Sequence, residues 1–439
     1  MNKYQPVIGL EVHVELITNS KMFCGCDANH FEIEPNTHTC PVCLGLPGAL
    51  PVPNRKAVDW TILLGLALNC KINKESHFDR KNYFYPDLPK GYQITQFNQP
   101  LCVNGHIQLA NGKIIRIREI HIEEDTGKLI HGEVDGQKVT LIDFDRSGVP
   151  LAEIVTEPDF NDSGEVDEYL KTLQRIIRYL KISNADMEKG SMRLEPSISL
   201  RPDGQKKLTD YRVEIKNINS FHFVKKAIEF EIRRQTELLE KGETPKQETR
   251  GWSETKGVTV LQREKEEAHD YRYFPEPDIP PMTFSDEMIS EIKKQIPELT
   301  EAKIKRLISQ YGLSSYQAKL ISETKELANF FEETTKIATD IKPVQIANWI
   351  INDKPDISAI HGKSFISAKL LSQQIVTVDE KKLDEVIDQV IKENQDAVAS
   401  YHKGKINVIG FLIGQVVKLT DPKIDRQLVT AKILEKLSR

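Results

Sequence analysis

The sequence has no apolar stretch long enough to cross a lipid bilayer. The longest apolar run, residues 62–68, is far shorter than the roughly 20 residues that a membrane-spanning helix needs. Residues 1–6 lack the apolar core of a secretory signal peptide, and six cysteines in 439 residues do not suggest a disulfide scaffold. These absences predict a soluble, cytoplasmic protein with no membrane association.

Phosphate-binding motifs are also missing. Gly362-Lys363-Ser364 resembles the end of a P-loop, but Ile357 stands where the first glycine of that motif should be. Neither G-x-G-x-x-G nor G-x-S-x-G occurs, and a formal net charge of −5 gives no general sign of nucleic-acid binding. If the protein uses a nucleotide, metal ions and side chains must hold its phosphates, and any nucleic-acid surface must be local.

The first strand of the sequence carries an acidic face that includes a histidine. Apolar and polar residues alternate over residues 7–16, which places Glu11, His13 and Glu15 on one face. Two carboxylates flanking an imidazole form a set that a hard cation can use. A solvated strand face that happens to be acidic is the alternative. Of the three residues, Glu15 lies nearest the end of the strand and is predicted to be a bystander.

A second strand, within residues 113–126, repeats this pattern. The side chains that share one face are Glu119, His121, Glu123 and Asp125. Glu124 lies on the opposite face unless the strand ends or bulges there. If the two strands are close, their like charges repel unless something neutralises them. That repulsion favours a bound metal ion over two solvated faces.

Four of the six cysteines form one pattern, in which C-x-C is followed after thirteen residues by C-x-x-C. The residues are Cys24, Cys26, Cys40 and Cys43. This spacing is typical of a tetrahedral zinc site, and four protein ligands make such a site structural. Unrelated free thiols or a redox pair are the alternatives. The two remaining cysteines are predicted to be buried small hydrophobic residues.

Two loops mix aromatic rings with charges. Residues 78–93 interleave rings with Arg80 and Lys81, and residues 267–281 combine rings, prolines and Arg272. Such mixtures can stack a base and neutralise a phosphate. The alternative is a pair of rigid loops whose rings close the domain.

Strands with charged faces and long amphipathic helices predict an α+β fold. We expect residues 1–285 to form an α/β cradle with a largely antiparallel sheet and a zinc knuckle at residues 24–43. From residue 286 onward, charged and aliphatic residues alternate at helical spacing. This predicts an all-α domain over residues 286–355 and a helical tail domain over residues 356–439.

Several segments resemble the B subunit of the glutamyl-/aspartyl-tRNA amidotransferase family. They are VIGLEVHVEL (7–16), FDRKNYFYPD (78–87), HIEED (121–125) and HDYRYFP (269–275). The resemblance implies a ligase that uses ATP and Mg²⁺ to phosphorylate the side-chain carboxylate of Glu-tRNA(Gln) or Asp-tRNA(Asn). Ammonia from glutamine then displaces the phosphate and forms a carbon–nitrogen bond. It also implies two partners, the amidase of the complex and a small third protein, with misacylated tRNA bound by the tail.

The resemblance further implies roles for individual residues. The catalytic residues would be Glu11, His13, Glu123, Glu124 and Glu214. The ligands of Mg²⁺ would be Glu11, His13, Glu124, Glu195 and Glu214. The substrate and the acceptor end of the tRNA would be bound by Arg80, Lys81, Tyr83, Tyr85 and Arg272.

The chain departs from the family pattern in two places. Residues 193–197 read Arg-Leu-Glu-Pro-Ser, where the family usually has Arg-Cys-Asp-Ala-Asn, and the tail is predicted to be shortened between about residues 353 and 376. A rival hypothesis is therefore a non-catalytic tRNA-docking scaffold of the same complex. Another is a free metal-dependent phosphotransferase that acts on a small carboxylate. The acidic strand faces argue against the first rival, and the long helical C-terminal region argues against the second.

Overall fold

The computed structural model describes residues 3–264, 271–373, 379–421 and 424–438. It divides into two compact units: residues 1–306 with 323–325, and residues 307–322 with 326–439. The first unit contains all the described strands together with long helices, and the second is helical. The predicted α+β class is therefore confirmed. His269 and Asp270, which begin the last of the family-like segments, lie outside the described residues.

The strands are, in chain order, β1 (Tyr4–Glu15), β2 (Lys71–Ile72), β3 (Glu75–Ser76), β4 (Asp79–Asn82), β5 (Tyr92–Thr95), β6 (Cys102–Gln108), β7 (Ile114–Glu124), β8 (Lys128–Val134), β9 (Gln137–Asp143), β10 (Pro150–Thr156), β11 (Met192–Pro202), β12 (Val213–Lys216), β13 (Glu248–Ser253), β14 (Val258–Glu264), β15 (Phe274–Pro275) and β16 (Met282–Thr283). Nine of them form one sheet in the order β14-β13-β12-β11-β1-β10-β7-β6-β2. Only the β12–β13 pair is parallel among these described strands. The large, mostly antiparallel sheet agrees with the prediction.

Three smaller sheets flank the large one: β15-β4-β5, β16-β3 and the hairpin β8-β9. The first of them brings together the two aromatic loops that were distant in sequence, because Phe274 of β15 lies opposite Arg80 of β4. The two aromatic loops are therefore neighbours in the folded protein.

Helices α1 (Arg55–Ala67), α2 (Ser163–Leu180) and α3 (Phe221–Glu240) pack against the apolar face of the large sheet. Each begins at a side-chain cap, supplied by Asn54, Asp162 and Ser220 respectively. In β1, Leu10, Val12 and Val14 are buried in this core. The residues between them therefore face away from the helices, as strand alternation requires.

The remaining helices are α4 (Asp286–Lys293), α5 (Thr300–Tyr311), α6 (Ser315–Ile321), α7 (Lys325–Ile337), α8 (Pro343–Asp353), α9 (Gly362–Gln373), α10 (Glu380–Glu393), α11 (Gln395–His402), α12 (Val408–Leu419) and α13 (Arg426–Leu437). Ile292 of α4 is buried in the core of the first unit, so that unit extends beyond residue 285. A separate core near the C-terminal end joins α10, α12 and α13 through Leu383, Leu412 and Val429. The finer division at residues 285 and 355 stays a prediction.

Among the helices of the described residues, none combines the length and the apolar character needed to cross a membrane.

Candidate active site

The polar face of the large sheet carries a row of charged side chains across four neighbouring strands. In the antiparallel register of β11, β1 and β10, His13 lies opposite Arg193 on one side and Glu153 on the other. Glu153 of β10 in turn lies opposite His121 of β7. Because directly opposite residues point to the same face of a sheet, these four side chains form a continuous row, which we call the polar row.

Carboxylates and imidazoles in and beside the polar row form two overlapping groups of possible metal ligands. One group is Glu11, His13 and Glu153, and the other is His121, Glu123 and Glu153; within each group the ligand atoms lie within 4.8 Å of one another. His121 Nε2 is 3.0 Å from Glu153 Oε2, and His13 Nδ1 is 3.5 Å from Glu123 Oε1. The buried Nδ1 atoms of His13 and His121 have no hydrogen-bond partner. These groups fit a divalent cation, and Glu153 belongs to both.

Opposite charges shift the pKa values of the polar row in opposite directions. Burial alone would lower the pKa of both histidines, but the charge of Glu153 and contacts with Glu123 or Glu119 raise the pKa of His13 to about 9 and that of His121 to about 10. Burial likewise acts to raise the pKa of Glu153, yet the charges of His121 and His13 hold it well below its usual range. Without a cation, protons on the imidazoles therefore balance the carboxylates.

We expect the protein without added divalent cation to lose stability as the pH rises from about 7 to about 10. The folded-state pKa values of His13 and His121, about 9 and about 10, lie above the ordinary imidazole value of about 6.5. Their stabilising contribution is therefore complete below about pH 6.5 and is lost as the pH rises through the folded-state values. Urea unfolding at pH 7 and pH 9.5, in buffer without added divalent cation, measures the loss.

The variant His13→Gln provides the control for this pH dependence, and it should show a smaller loss of stability between pH 7 and pH 9.5. Adding Mg²⁺ should also reduce the loss, because an imidazole bound to a metal is neutral at either pH. Equal pH dependence in the variant and the parent protein would mean that His13 is not proton-linked to folding.

Three residues of the polar row, Arg193, His13 and Glu153, line a cleft of about 590 Å³. Its walls carry paired charges: Arg193 donates to both oxygens of Asp125 at 3.2 and 2.6 Å, and Lys216 lies 2.8 Å from Glu195. Glu195 lies directly opposite Glu11 in the sheet, and burial followed by the charges of Glu153 and Glu195 raises the pKa of Glu11. The cleft therefore offers both acidic ligands for a cation and fixed cations for phosphate.

The structure brings most of the predicted site residues to this cleft. Those that line it are Glu11, His13, Glu123, Glu195, Glu214, Lys81 and Tyr83. Lys81 lies over the ring of Tyr271, with Nζ 5.1 Å from the ring centroid. The departure at residues 193–197 does not displace Glu195, because β11 stays paired with β1 along its whole length in this region.

Four predicted residues do not line the cleft. Glu124 points to the other face of β7, where its carboxylate accepts from Lys90 Nζ at 2.6 Å and from the Ile94 N–H at 2.9 Å. Arg80 instead forms a bidentate pair with the buried Glu276, at 2.6 and 2.8 Å. Tyr85 and Arg272 are exposed outside the cleft lining. Strand alternation turns Glu124 away from the two ligand groups, and Arg80 is paired with Glu276 outside the cleft lining.

Glu153 is the site residue that the sequence reasoning missed. It stands alone in Leu-Ala-Glu-Ile-Val, residues 151–155, a segment that is otherwise apolar. β10 is buried on both faces, so the alternation that exposed Glu11 and His13 is absent from it. A single carboxylate within a buried apolar strand was the available signal, because such a charge must have a partner. Glu15, the predicted bystander, is buried outside the cleft and contacts His30 Nε2 at 3.0 Å.

The four predicted zinc ligands also come together. The sulfur atoms of Cys24, Cys26, Cys40 and Cys43 lie within 4.8 Å of one another, and the Cys40 N–H points at Cys43 Sγ at 3.1 Å. The fully buried ammonium of Lys21 is 3.8 Å from the same sulfur. A hydrogen bond with Cys24, together with the charge of Lys21, lowers the pKa of Cys43 to about 5 against the effect of burial. This cysteine cluster can therefore hold a structural metal.

Comparison with known proteins places the chain in a family. Residues 6–290 match the family model described as the GatB/GatE catalytic domain, and residues 363–437 match the GatB domain. The curated B subunit of the aspartyl/glutamyl-tRNA(Asn/Gln) amidotransferase of Thermoanaerobacter sp. is 44% identical over 482 aligned positions, covering 100% of both chains. The B subunit of Caldanaerobacter subterraneus is 45% identical, with 100% of both chains covered. That of Thermodesulfovibrio yellowstonii is 43% identical, with 99% of both chains covered. The chain belongs to the family of aspartyl/glutamyl-tRNA(Asn/Gln) amidotransferase B subunits.

The alignment also shows gaps in this chain. Its 439 residues are spread over 482 aligned positions, so the relatives contain segments that this chain lacks. In the region predicted to be shortened, α8 ends at Asp353 and α9 begins at Gly362. Residues 374–378 of that region lie outside the described residues.

Proposed function

We propose that the chain is the catalytic component that activates misacylated tRNA for amidation. It binds Glu-tRNA(Gln) or Asp-tRNA(Asn), and an oxygen of the side-chain carboxylate attacks the γ-phosphorus of ATP, releasing ADP. Ammonia then attacks the acyl carbon of the acyl phosphate, inorganic phosphate leaves, and the nitrogen loses a proton. The products are Gln-tRNA(Gln) or Asn-tRNA(Asn).

The observation that carries this proposal is the pair of ligand groups that share Glu153. We infer that Glu11, His13 and Glu153 bind one Mg²⁺, with His121 and Glu123 available for a second. When bound, Mg²⁺ neutralises negative charge on the phosphoryl group that is transferred. No protein nucleophile is needed for such a transfer, and positioned charges supply most of the catalysis.

Positively charged side chains near the polar row suit a reaction between a carboxylate and ATP, because both reactants are anions. Burial alone would lower the pKa of Lys81, but the surrounding charges, of which that of Glu123 is the largest, together outweigh burial and raise this pKa, so Lys81 stays charged. Lys81 lies at the cleft lining together with Arg193. We infer that Lys81 orients the substrate carboxylate and that Arg193, held by Asp125, keeps the neighbouring wall positively charged.

A smaller pocket of about 320 Å³ adjoins the cleft and shares Glu11, Arg212 and Gln247 with it. Its apolar walls include Val7 and Leu208, and it also contains hydroxyl and guanidinium groups. We infer that the nucleoside of ATP occupies this pocket, which directs the phosphates toward the polar row. This arrangement is consistent with the absence of a P-loop.

The cysteine cluster and the relatives' names suggest the rest of the assembly. We propose that the cysteine cluster binds a structural Zn²⁺, because four thiolates complete its tetrahedral coordination. The relatives are named as B subunits of an amidotransferase. We therefore propose a cytoplasmic heterotrimer whose other members are an amidase, which releases ammonia from glutamine, and a small third protein.

The proposal is tested by assaying the reconstituted complex with each charged tRNA in turn. We expect the complex to form Gln-tRNA or Asn-tRNA only when ATP and Mg²⁺ are present, with about one ADP per amide. ADP formation should depend on a charged tRNA, and an uncharged tRNA is the control. If charged tRNA is bound but no ATP is cleaved, the chain is a tRNA-docking scaffold. If a free carboxylate replaces the tRNA without loss of rate, it is a small-molecule phosphotransferase.

A further inference from the structure

A series of four aromatic rings leads from the cleft to an exposed phenylalanine. Tyr83 and Tyr271 line the cleft, and their ring centroids are 6.0 Å apart in an edge-to-face arrangement. Tyr271 contacts Tyr273 in the same manner, also at 6.0 Å. Tyr273 then stacks on Phe97, with the centroids 4.0 Å apart and only 5° between the ring planes. We call Tyr273 and Phe97 the aromatic platform.

Phe97 is exposed although one face of its ring lies against Tyr273. About half of its surface, 54%, is accessible to solvent. Its backbone is nevertheless fixed, because the N–H groups of Phe97 and Asn98 both donate to Asp79 Oδ2, at 2.8 and 3.3 Å. Asp79 itself is fully buried. An exposed ring on a fixed backbone offers a flat apolar surface on which another ring can stack.

The aromatic platform is close to the polar row as well as to solvent. Burial raises the pKa of Tyr273 to about 12, while the charge of Lys81 acts to lower it and that of Glu123 to raise it. The Tyr273 ring contacts that of Tyr271, which lines the cleft. Thr95, two residues before Phe97, donates to Glu123 at 3.2 Å. The short segment from Thr95 to Phe97 thus contacts Glu123, which lines the cleft, and carries the outer ring of the aromatic platform.

We propose that the outer face of Phe97 stacks on the adenine of the 3′-terminal adenosine of the aminoacyl-tRNA. This inference rests on the proposed function, because that function places the substrate carboxylate at the polar row. The amino acid is esterified to the ribose of the terminal adenosine, so the adenine lies only one sugar away from the ester. The rings from Tyr83 to Phe97 connect the cleft with the protein surface, and the terminal adenosine follows them. Stacking supplies affinity without base-specific hydrogen bonds.

The adenine of ATP has the same ring chemistry and is the other possible occupant. We assign the ATP nucleoside to the pocket bounded by Val7 and Leu208, which adjoins Glu11. The aromatic platform is instead connected to Tyr83 and Tyr271, which line the cleft but not that pocket. Separate measurements of the KM for tRNA and the KM for ATP show which of the two adenines binds to the aromatic platform.

The direct test uses tRNA whose terminal adenine is replaced by 2-aminopurine, a base whose fluorescence is quenched when it stacks. Uncharged tRNA is added to the reconstituted complex, so this measurement does not depend on phosphoryl transfer. We expect the fluorescence to fall on binding to the parent complex and to remain high with Phe97→Ala. Phe97→Trp should restore the quenching, because it keeps a large ring. Unquenched 2-aminopurine in a parent complex that demonstrably binds tRNA overturns the inference while leaving the proposed function intact.

Kinetics provide the second test. Phe97→Ala should raise the KM for charged tRNA about ten-fold, as expected for the loss of one stacked base, with little change in kcat. Phe274→Ala is the matched control, because Phe274 is also exposed and follows Tyr273 directly but faces Arg80. It should leave the KM nearly unchanged. A rise in the KM for ATP instead would assign the platform to ATP and contradict the inference. Failure of the parent complex to bind tRNA at all would contradict the proposed function as well.

Discussion

Replacing Glu153 with glutamine should lower tRNA-dependent ATP cleavage by the reconstituted complex at least about 100-fold. Glu153 is the carboxylate common to both ligand groups, and it lies between His13 and His121 in the sheet. Glutamine keeps the size of the side chain but removes the charge. Both possible cation positions therefore lose a ligand at once.

The rate should recover partly at high Mg²⁺ concentration, because the main loss is in metal affinity. Mg²⁺ titrations of phosphate release therefore give more information than a single rate. Glu119→Gln is the matched control: Glu119 is near His121, 3.6 Å from its Nδ1, but belongs to neither ligand group. Its effect should stay below about five-fold, the order expected for the loss of one partly exposed neighbouring charge. A Glu153→Gln complex that cleaves ATP at the parent rate at every Mg²⁺ concentration would show that the polar row is not the site of phosphoryl transfer.

Replacing Cys43 with serine should remove about one equivalent of bound zinc and lower the melting temperature by about 5–10 °C, which corresponds to a loss of a few kcal/mol. The sulfur of Cys43 is contacted by the Cys40 N–H and by the ammonium of Lys21. Removing this thiolate leaves the fully buried ammonium of Lys21 with the carbonyl oxygens of His38 and Phe144 but without the negative charge of Cys43. An uncompensated buried charge adds to the loss of the metal.

Metal analysis and thermal melting, with and without a strong chelator, measure this effect. The chelator should lower the melting temperature of the parent protein and have little further effect on Cys43→Ser. Cys70→Ala is the control, because Cys70 is buried but lies outside the cysteine cluster; it should keep its zinc and remain sensitive to the chelator. A parent protein that folds without metal and keeps four titratable thiols would refute the zinc assignment.

Local sequence patterns predicted the strand faces and the cysteine cluster, because both depend on the geometry of a few neighbouring residues. Strand alternation placed Glu11 and His13 on the polar face because the side-chain period of a strand is two residues. The cysteine spacing predicted the cluster because ligand pairs separated by one or two residues can converge on one ion. Alternation also indicated that Glu124 faces away from Glu123, and the structure agrees. The resemblance to a family had assigned Glu124 to the metal nevertheless.

Features that depend on distant partners could not be predicted in this way. Arg80 looked like a phosphate contact until the fold placed Glu276 beside it, 196 residues further along the chain. Glu153 gave no periodic signal because both faces of β10 are buried. Its role becomes visible only when β1 and β7 are seen on either side of it. The sequence pattern supplied the ligand types, and the sheet order determined which of them meet.

The position of β1 in the sheet has a consequence for how the protein is made. β1 is synthesised first among the described strands, yet its neighbours β10 and β11 begin only at Pro150 and Met192. A ribosome must therefore add nearly two hundred residues before this strand has both of its hydrogen-bonding partners. Such long-range pairing slows folding and leaves strand edges exposed. The segment that supplies Glu11 and His13 thus lacks a partner strand for much of the synthesis of the chain, and a chaperone that covers it would protect the future site.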